Sequence, residues 1–459
     1  MSGPMFRLAF SLSWIALAPA LLVAQQTLPL DQAIRTALLH SPSMTSAEAS
    51  ASAAGASRWA DWGALLPSVS VNGSVNRTDF TTTTFQNPDG TTTVLDEAID
   101  DVNRSNSAGL SFNLQLSADR FANVGAGGAR KEAANLRLVA AATDIVRQVK
   151  IAYFDALKAQ ALVGVAERQK EARGQDFEVT QDRYRIAAAS RSDLLGAEID
   201  LRNAELRALD TEDAFAAAVR QLRTTLGQDV AALDREELVL LDPERVPDAD
   251  DLDVGALVAA ARGANPELQA LSADERAASS GVWLARSAYL PTLNLSLNLG
   301  RGRQVGIDES LLSFSPANTS RSVSVSASWA LFNGFQRKQR TAEASSQLIR
   351  AQASLRTEDL RLEREVRNLV DQLQRRGRRL NVLELNADLS EERLDLAREQ
   401  YRLGSITYFN LQQAIESLDQ AQQDVLNERY ELLKDWAELE QRVGGSGSVA
   451  ILSNASVGS

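Results

Sequence analysis

Leu290-Pro291-Thr292-Leu293-Asn294-Leu295-Ser296-Leu297-Asn298-Leu299 decides the fold, because apolar and small polar residues alternate without a fault after the Leu-Pro step. A period of two puts every leucine on one face of a strand and every Thr, Asn or Ser on the other. Three further stretches repeat the pattern. Val69, Val71 and Val75 alternate with Ser68, Ser70, Asn72 and Ser74; Leu110, Phe112, Leu114 and Leu116 alternate with Ser111, Asn113 and Gln115; Val323, Val325, Ala327, Trp329 and Leu331 alternate with Ser322, Ser324, Ser326 and Ser328. Strands of about ten residues cross a bilayer when tilted. The alternative is a water-soluble sheet with one buried face. Such a sheet usually shows Lys and Glu on its open side, whereas Ser, Thr and Asn suit a barrel interior. Four strands cannot close a barrel, and open strand edges are not tolerated in hydrocarbon, so the subunit must pool strands with copies of itself. Two copies give about eight strands and a barrel filled by its own side chains; three give about twelve and a water-filled lumen, which the Ser/Asn lining favours.

The proline positions reveal a duplication. All eleven lie at 4, 19, 29, 42, 67, 88, 243, 247, 266, 291 and 316, leaving two proline-free blocks, 89–242 and 317–459, each able to hold long helices. Ser41-Pro42 matches Asn265-Pro266, Trp59 matches Trp283, and Leu66-Pro67 matches Leu290-Pro291, all at an offset of 224. Tyr184 and Tyr401, Leu194 and Leu411, Ala197 and Ala414, and Leu226-Gly227 and Val443-Gly444 pair at an offset of 217. Repeated coincidences at fixed spacings mark an internal repeat. Each half reads as short helix, Pro break, helix, two strands and a long helical hairpin. The outgoing helices, from about Gly127 to Ile186 and Gly334 to Leu403, are rods of roughly 90 to 105 Å. They break at Ala187-Ala188-Ala189-Ser190 and at Gly404-Ser405. On the last return helix Leu411, Ile415, Leu418, Gln422, Val425, Arg429, Leu432, Trp436, Leu439 and Val443 step by four and three as a coiled-coil seam.

The domain plan that follows is a first repeat over 25–227, a linker over 228–253 containing Pro243, Pro247 and the acidic run Asp248 to Asp253, a second repeat over 254–444, and a disordered Gly/Ser-rich tail over 445–459. Strands are expected at about 68–78, 107–118, 292–300 and 321–331. Residues 1–24 read as an export signal, with Arg7 ahead of the apolar run Leu8 to Val23 and small residues ending it at Ala24. No Cys follows to accept a lipid anchor. Beyond residue 24 there is no stretch of about 18 apolar residues, so a mature chain that spans a membrane must do so with strands.

Composition excludes several functions. Across 459 residues, 48 Lys and Arg stand against 60 Asp and Glu, a net charge of -12, which offers no basic field for nucleic acid. Cys is absent and His40 is the only histidine. Disulfides, thiolate metal sites, Cys nucleophiles and multi-histidine centres are therefore out of reach, and no catalytic set, metal site or cofactor is expected.

The duplicated set of short motifs resembles the TolC family of outer-membrane efflux ducts over nearly the whole mature chain. The residues that carry the likeness are Ser41-Pro42 and Asn265-Pro266-Glu267-Leu268, the two Leu-Pro steps, Leu331-Phe332-Asn333-Gly334, Gln400-Tyr401-Arg402-Leu403-Gly404-Ser405, and Arg183-Tyr184 followed by Asp193-Leu194-Leu195. The resemblance implies a mainly α chain with a β-barrel portion. Three subunits would pool four strands each into a twelve-stranded outer-membrane barrel, and the coiled-coil hairpins would form a periplasmic tunnel. It implies a homotrimer and two partners, a periplasmic adaptor of the membrane fusion type and an inner-membrane transporter. The function expected is a passive export duct of a tripartite efflux or type I secretion system. The competing expectation is a periplasmic coiled-coil adaptor or structural protein.

The resemblance also implies a gate at the hairpin tips, with Tyr401, ahead of the Gly404 turn, hydrogen-bonded to a carboxylate at Asp193 beside the Ser192 hydroxyl. Where related ducts carry two gate aspartates this chain has Asn410 and Gln413, which departs from a charged ring. Asn410, Gln413, Ser417, Gln420, Asp424, Asn427 and Glu431 follow at three-four spacing, either as a lumen lining or as an ordinary solvated helix face.

Overall fold

The computed structural model describes residues 26–228, 238–242, 247–305, 310 and 319–445. The expected export signal, much of the linker, most of the loop before β6 and the tail from 446 onward lie outside the described residues.

The two halves repeat element by element. The first comprises β1 (Gln26–Leu28), α1 (Leu30–His40), α2 (Pro42–Gly63), β2 (Ser68–Gln86), β3 (Thr92–Leu116), α3 (Ala118–Arg185) and α4 (Arg191–Thr225). The second comprises β4 (Leu238–Leu240), α5 (Val254–Ala264), α6 (Pro266–Ser287), β5 (Thr292–Gln304), β6 (Thr319–Ser328), α7 (Gln336–Arg402) and α8 (Tyr408–Arg442). Matching helices have matching lengths: 11 residues for α1 and α5, 22 for α2 and α6, 68 and 67 for α3 and α7, and 35 for α4 and α8. Pro42 and Pro266 begin their helices where a missing N–H costs nothing, and the Asn265 side chain caps the second of them by accepting from Leu268 N at 3.0 Å. No helix of the described residues is long and apolar enough to cross a membrane.

The chain divides into two compact units, each drawing on both repeats. One comprises Met1–Ala37, Gln148–Val246 and Leu380–Glu431; the other comprises Leu38–Arg147, Pro247–Arg379 and Leu432–Ser459.

The second unit holds an antiparallel sheet in the order β2-β3-β5-β6. Its register aligns the alternation of all four strands. Val69, Phe112, Leu297 and Val323 form one row across one face, while Ser70, Ser111, Asn298 and Ser322 form the neighbouring row on the other. Hydroxyl pairs Ser70 with Ser111 at 2.6 Å, Ser74 with Ser107 at 2.8 Å and Ser296 with Ser324 at 2.6 Å knit the polar face. The strands differ from expectation in length. β2 and β3 run 19 and 25 residues, and the stretch expected as a loop between about 78 and 107 is a continued hairpin turning at Asn87 to Gly90. Threonines at 81–84 and 92–93 lie within the lengthened strands, where their β-propensity favours pairing after the alternation stops. β6 ends at Ser328, short of the expected Leu331.

In the first unit β1 and β4 form a parallel pair, and Tyr153 of α3 closes it. The Tyr153 hydroxyl accepts from Leu241 N at 3.0 Å and lies 2.9 Å from Leu28 O, so one buried phenol ties both strands to the helix. All four long helices end in one way. Ala188 N, Gln228 N, Ser405 N and Gly445 N each bond a carbonyl five residues back, with a left-handed residue just before them: Ala187 (φ 60), Gly227 (φ 72), Gly404 (φ 79) and Gly444 (φ 100). Ala187 alone is not glycine. On α8 the seam holds at Leu411, Ile415, Leu432, Trp436, Leu439 and Val443, which are buried, while Ala414, Ala421, Glu428 and Asp435 widen the buried face at seven-residue steps.

Candidate functional site

The two tip turns, 186–190 and 403–407, both lie in the first unit, and the helices flanking them pack on a shared core. Ala197 of α4 joins Leu394, Ala397 and Tyr401 of α7 and Tyr408, Leu411, Ala414 and Ile415 of α8. The Tyr401 and Tyr408 rings meet edge to face at 5.9 Å. Gly196 lets α4 approach this aromatic pair, since a Cβ there would sit 3.3 Å from the Tyr408 ring.

A polar ladder crosses the apolar core. Along α3, Arg173, Asp176, Thr180 and Arg183 recur at three-four spacing on the buried side. Arg173 donates to Asp419 at 2.5 Å, Arg398 to Asp176 at 3.3 Å, and the Thr180 hydroxyl lies 3.2 Å from the Tyr401 hydroxyl. Because Thr180 donates its own proton to Asp176 O at 2.8 Å, Tyr401 is the donor in that pair. Arg183 clamps both turns. Its guanidinium donates to Tyr401 O and to Ala188 O, and it stacks 4.5 Å over the Tyr401 ring. On the return helices the Tyr408 hydroxyl donates to Asp200 Oδ2 at 2.7 Å and Gln412 donates to Asp200 Oδ1 at 3.3 Å. Burial, reinforced by the Asp200 carboxylate, pushes the Tyr408 phenol well above its ordinary value. Burial also raises the Asp419 carboxyl, against the opposing pull of Arg173 and of Arg207 at 3.6 Å.

The bond expected between Tyr401 and Asp193 is not formed. Asp193 is the third residue of α4, and its carboxylate accepts from Ser190 N at 3.0 Å while Ser190 Oγ accepts from Asp193 N at 3.1 Å. This capping box satisfies two orphan amides of the helix start and holds the short side chain against its own turn. Ser192 is exposed beside it. Tyr401 is buried and spends its hydroxyl on Thr180, and Gly404 is the left-handed residue of its turn. The phenol-to-carboxylate link between hairpins exists one step further in, between Tyr408 and Asp200.

Asn410 and Gln413 are exposed near the start of α8. Gln420 and Asn427 are exposed too, whereas Ser417, Asp424 and Glu431 are half-buried. Gln420 donates to Asp424 at 2.9 Å, and Glu431 pairs with Lys158 at 3.8 Å. The stripe therefore runs from the uncovered start of α8 to a partly covered edge at Glu431. The residues of these inter-helix contacts that sequence reasoning passed over are Arg173, Asp176, Thr180, Asp200, Tyr408 and Asp419. Four charged or hydroxyl side chains at core spacing on α3 were the legible signal.

With this geometry in place, comparison with known proteins gives the class. The family model described as outer membrane efflux protein matches residues 33–228 and 257–445, and the chain belongs to that family. Protein CyaE of Bordetella pertussis is 29% identical over 250 residues, covering 54% of this chain and 50% of that protein. Alkaline protease secretion protein AprF of Pseudomonas aeruginosa is 23% identical over 66% of this chain and 61% of that protein. The chain thus spans half to about three-fifths of the length of these two relatives. Outer membrane protein TolC of Vibrio cholerae is 22% identical over 74% of this chain and 76% of that protein. Among solved structures, the outer-membrane channel OprN shares the fold with a TM-score of 0.77 at 21% identity, covering 91% of this chain and 90% of that one. The outer membrane protein VceC of Vibrio cholerae does so with a TM-score of 0.75 at 20% identity, covering 91% and 96%.

Proposed function

We propose that the chain is the outer-membrane channel-tunnel of a tripartite efflux or type I secretion system, a passive duct with no catalytic role. The observation that carries this reading is the sheet. Its outer strands β2 and β6 have no partner on their far sides within the described residues, and its apolar face is open, with Val71 81%, Val323 69% and Val325 67% exposed. A soluble adaptor would leave those rows in water, while a barrel in a bilayer puts them against lipid. Closure then requires copies of the chain, and three supply twelve strands around a Ser/Asn-lined lumen. The helices leave the sheet at the end opposite the β2–β3 turn, so a barrel with that turn outside the cell would have them extend into the periplasm. There the tips would meet a periplasmic adaptor and an inner-membrane transporter. Asn410 and Gln413 give the tip lumen a neutral lining, with Ser417, Gln420 and Asp424 further along.

In this reading the closed tip is held by the clamp of Arg183 on Tyr401 O and by the Tyr408–Asp200 bond, while Asp193 and Ser192 serve the turn. Native mass spectrometry of the detergent-solubilised protein tests the assembly, with a trimer expected; monomer or dimer as the sole species sinks the duct. Planar-bilayer recording tests the activity and should show discrete conductance steps.

A further inference from the structure

The lipid-facing side of the sheet ends in arginine. Moving away from the helices along that face, successive rows read Leu116, Leu293 and Ala327, then Leu114, Leu295 and Val325, then Val69, Phe112, Leu297 and Val323. The next row is Val71, Leu110, Leu299 and Arg321, and the one after it is Gly73, Ala108, Arg301 and Thr319. Arg321 and Arg301 are thus diagonal neighbours on one face of the β5–β6 pair, about 7 Å apart at their Cβ atoms. Both are exposed, and neither has an ion-pair partner among the described residues. Further out on the same face Arg303 and Arg104 follow, half-buried and already engaged.

The other end of the band carries an aromatic rim. Trp329, just past the end of β6, is 61% exposed and donates its indole N–H to Tyr289 O at 3.0 Å. From Trp329 to Arg321 is about 26 Å along the strand at about 3.3 Å per residue, and about 20 Å of depth once tilted, close to the apolar height of such barrels. Arginine on the lipid face is costly at mid-depth and nearly free at the interface, so Arg321 fixes where the hydrocarbon ends. In a chain of net charge -12, two guanidiniums at that level without an ion-pair partner among the described residues face anionic headgroups.

We propose that Arg301 and Arg321 form a site for the phosphate groups of the phosphorylated glycolipid in the outer leaflet. The inference rests on the outer-membrane reading above. The guanidiniums match phosphate oxygens through paired N–H donors, and Leu297, Leu299, Val323 and Val325 directly beneath them accept acyl chains. That combination selects an amphiphile over a free anion. The hairpin end of the sheet, remote from the helices, selects the outer leaflet.

The test uses purified full-length protein in detergent, with lipid adducts counted by native mass spectrometry. The probes are bisphosphorylated lipid A, its dephosphorylated form, phosphatidylglycerol and inorganic phosphate. Wild type should retain bisphosphorylated lipid A roughly tenfold better than an Arg301→Gln, Arg321→Gln variant, the loss expected of two charge-assisted contacts. Dephosphorylated lipid A should bind both proteins alike. An Arg301→Lys, Arg321→Lys variant should fall between, having charge without the fork. Equal retention by wild type and the Gln variant overturns the site. Displacement by inorganic phosphate would show a free-anion site, and equal binding of phosphatidylglycerol would show no glycolipid preference; either overturns the assignment. The Gln variant lies on an exposed face and should still form the conducting trimer, so loss of lipid with conductance intact isolates the site. A wild type that neither trimerises nor conducts would refute the duct itself.

Discussion

Tyr408 opens the return helix of the second hairpin and its hydroxyl donates to Asp200 on the return helix of the first, at 2.7 Å. Tyr408 itself, Leu411 three positions further along α8, and Ala197 of α4 belong to one buried cluster, so the bond sits at a packed layer and is shielded on one side. A buried hydrogen bond to a carboxylate contributes about 1.5 to 3 kcal/mol. Where subunits repeat around an axis, a loss of that size in each one moves a closed-to-open balance appreciably.

Tyr408→Phe and Asp200→Asn should therefore each lengthen or enlarge channel openings in planar bilayers, and the double variant should do no more than either alone. Asp193→Ala should leave gating unchanged and lower thermal stability, since its carboxylate serves only the capping box. Enlarged openings in Asp193→Ala with none in Asp200→Asn would reverse the assignment.

The tip turns offer a stability test of opposite sign in the two repeats. Ala187 holds φ 60 in the place where the second repeat has Gly404 at φ 79. A left-handed L-residue costs about 1 to 2 kcal/mol relative to glycine. Ala187→Gly should raise the melting temperature and Gly404→Ala should lower it, read by circular dichroism on the detergent-solubilised protein.

Much of this was readable in advance, for physical reasons that differ by element. The duplication was, because proline and glycine punctuate chains at fixed places, and the near-equal lengths of α3 and α7 follow from it. Strand faces were, because a period of two has no other interpretation. Strand ends were not: once alternation stops after Asn76, Thr-rich sequence pairs as readily as it loops. Ser190 and Asp193 carried a legible capping box, and reading Asp193 as a partner for Tyr401 overlooked that this box holds the carboxylate against the start of its own helix. The pairing of Tyr408 with Asp200 depends on how the two hairpins are rotated against each other, which no single-helix periodicity reports.

Alkaline titration gives a measurement that needs no assembly. Burial, with Asp242 beside it, pushes the Tyr430 phenol up to about 12, and burial moves Tyr153 and Tyr408 upward as well. A raised phenol contributes stability in full below its unfolded value near 10, and that contribution is lost as pH climbs toward the folded value. Phenolate absorbance of the folded protein should therefore show a late phase, lying toward pH 12 for Tyr430. Tyr430→Phe should remove amplitude from that phase, and a late phase untouched by it would contradict the burial of Tyr430.

Sidedness is accessible in whole cells. Thr83 is exposed on β2 near the hairpin turn, and Ala188 is exposed at the first tip. Cys at Thr83 should react with an impermeant thiol reagent added outside, while Cys at Ala188 should react only after the outer membrane is permeabilised. The native chain has no Cys, so the background is nil. Reaction at Ala188 alone in intact cells would invert the orientation.

Arg173 and Asp419 form a buried ion pair, with side chains 8% and 11% exposed. Removing one member of such a pair leaves an uncompensated buried charge, at a cost of about 3 to 5 kcal/mol, whereas replacing both with apolar residues of similar size is close to neutral. Arg207 complicates only one arm. It lies 3.6 Å from the same carboxylate but is 51% exposed, so it can turn to water when Asp419 is lost, and it can support Asp419 in part when Arg173 is lost. Asp419→Leu should thus be the more damaging single change, because Arg173 has no route to solvent; Arg173→Met should be milder, and the double variant should recover most of the loss. Chemical denaturation of the four proteins in the same detergent closes the cycle. Additive losses in the double variant would mean that the pair is not coupled and that the two hairpins are held at this level by the surrounding apolar contacts alone.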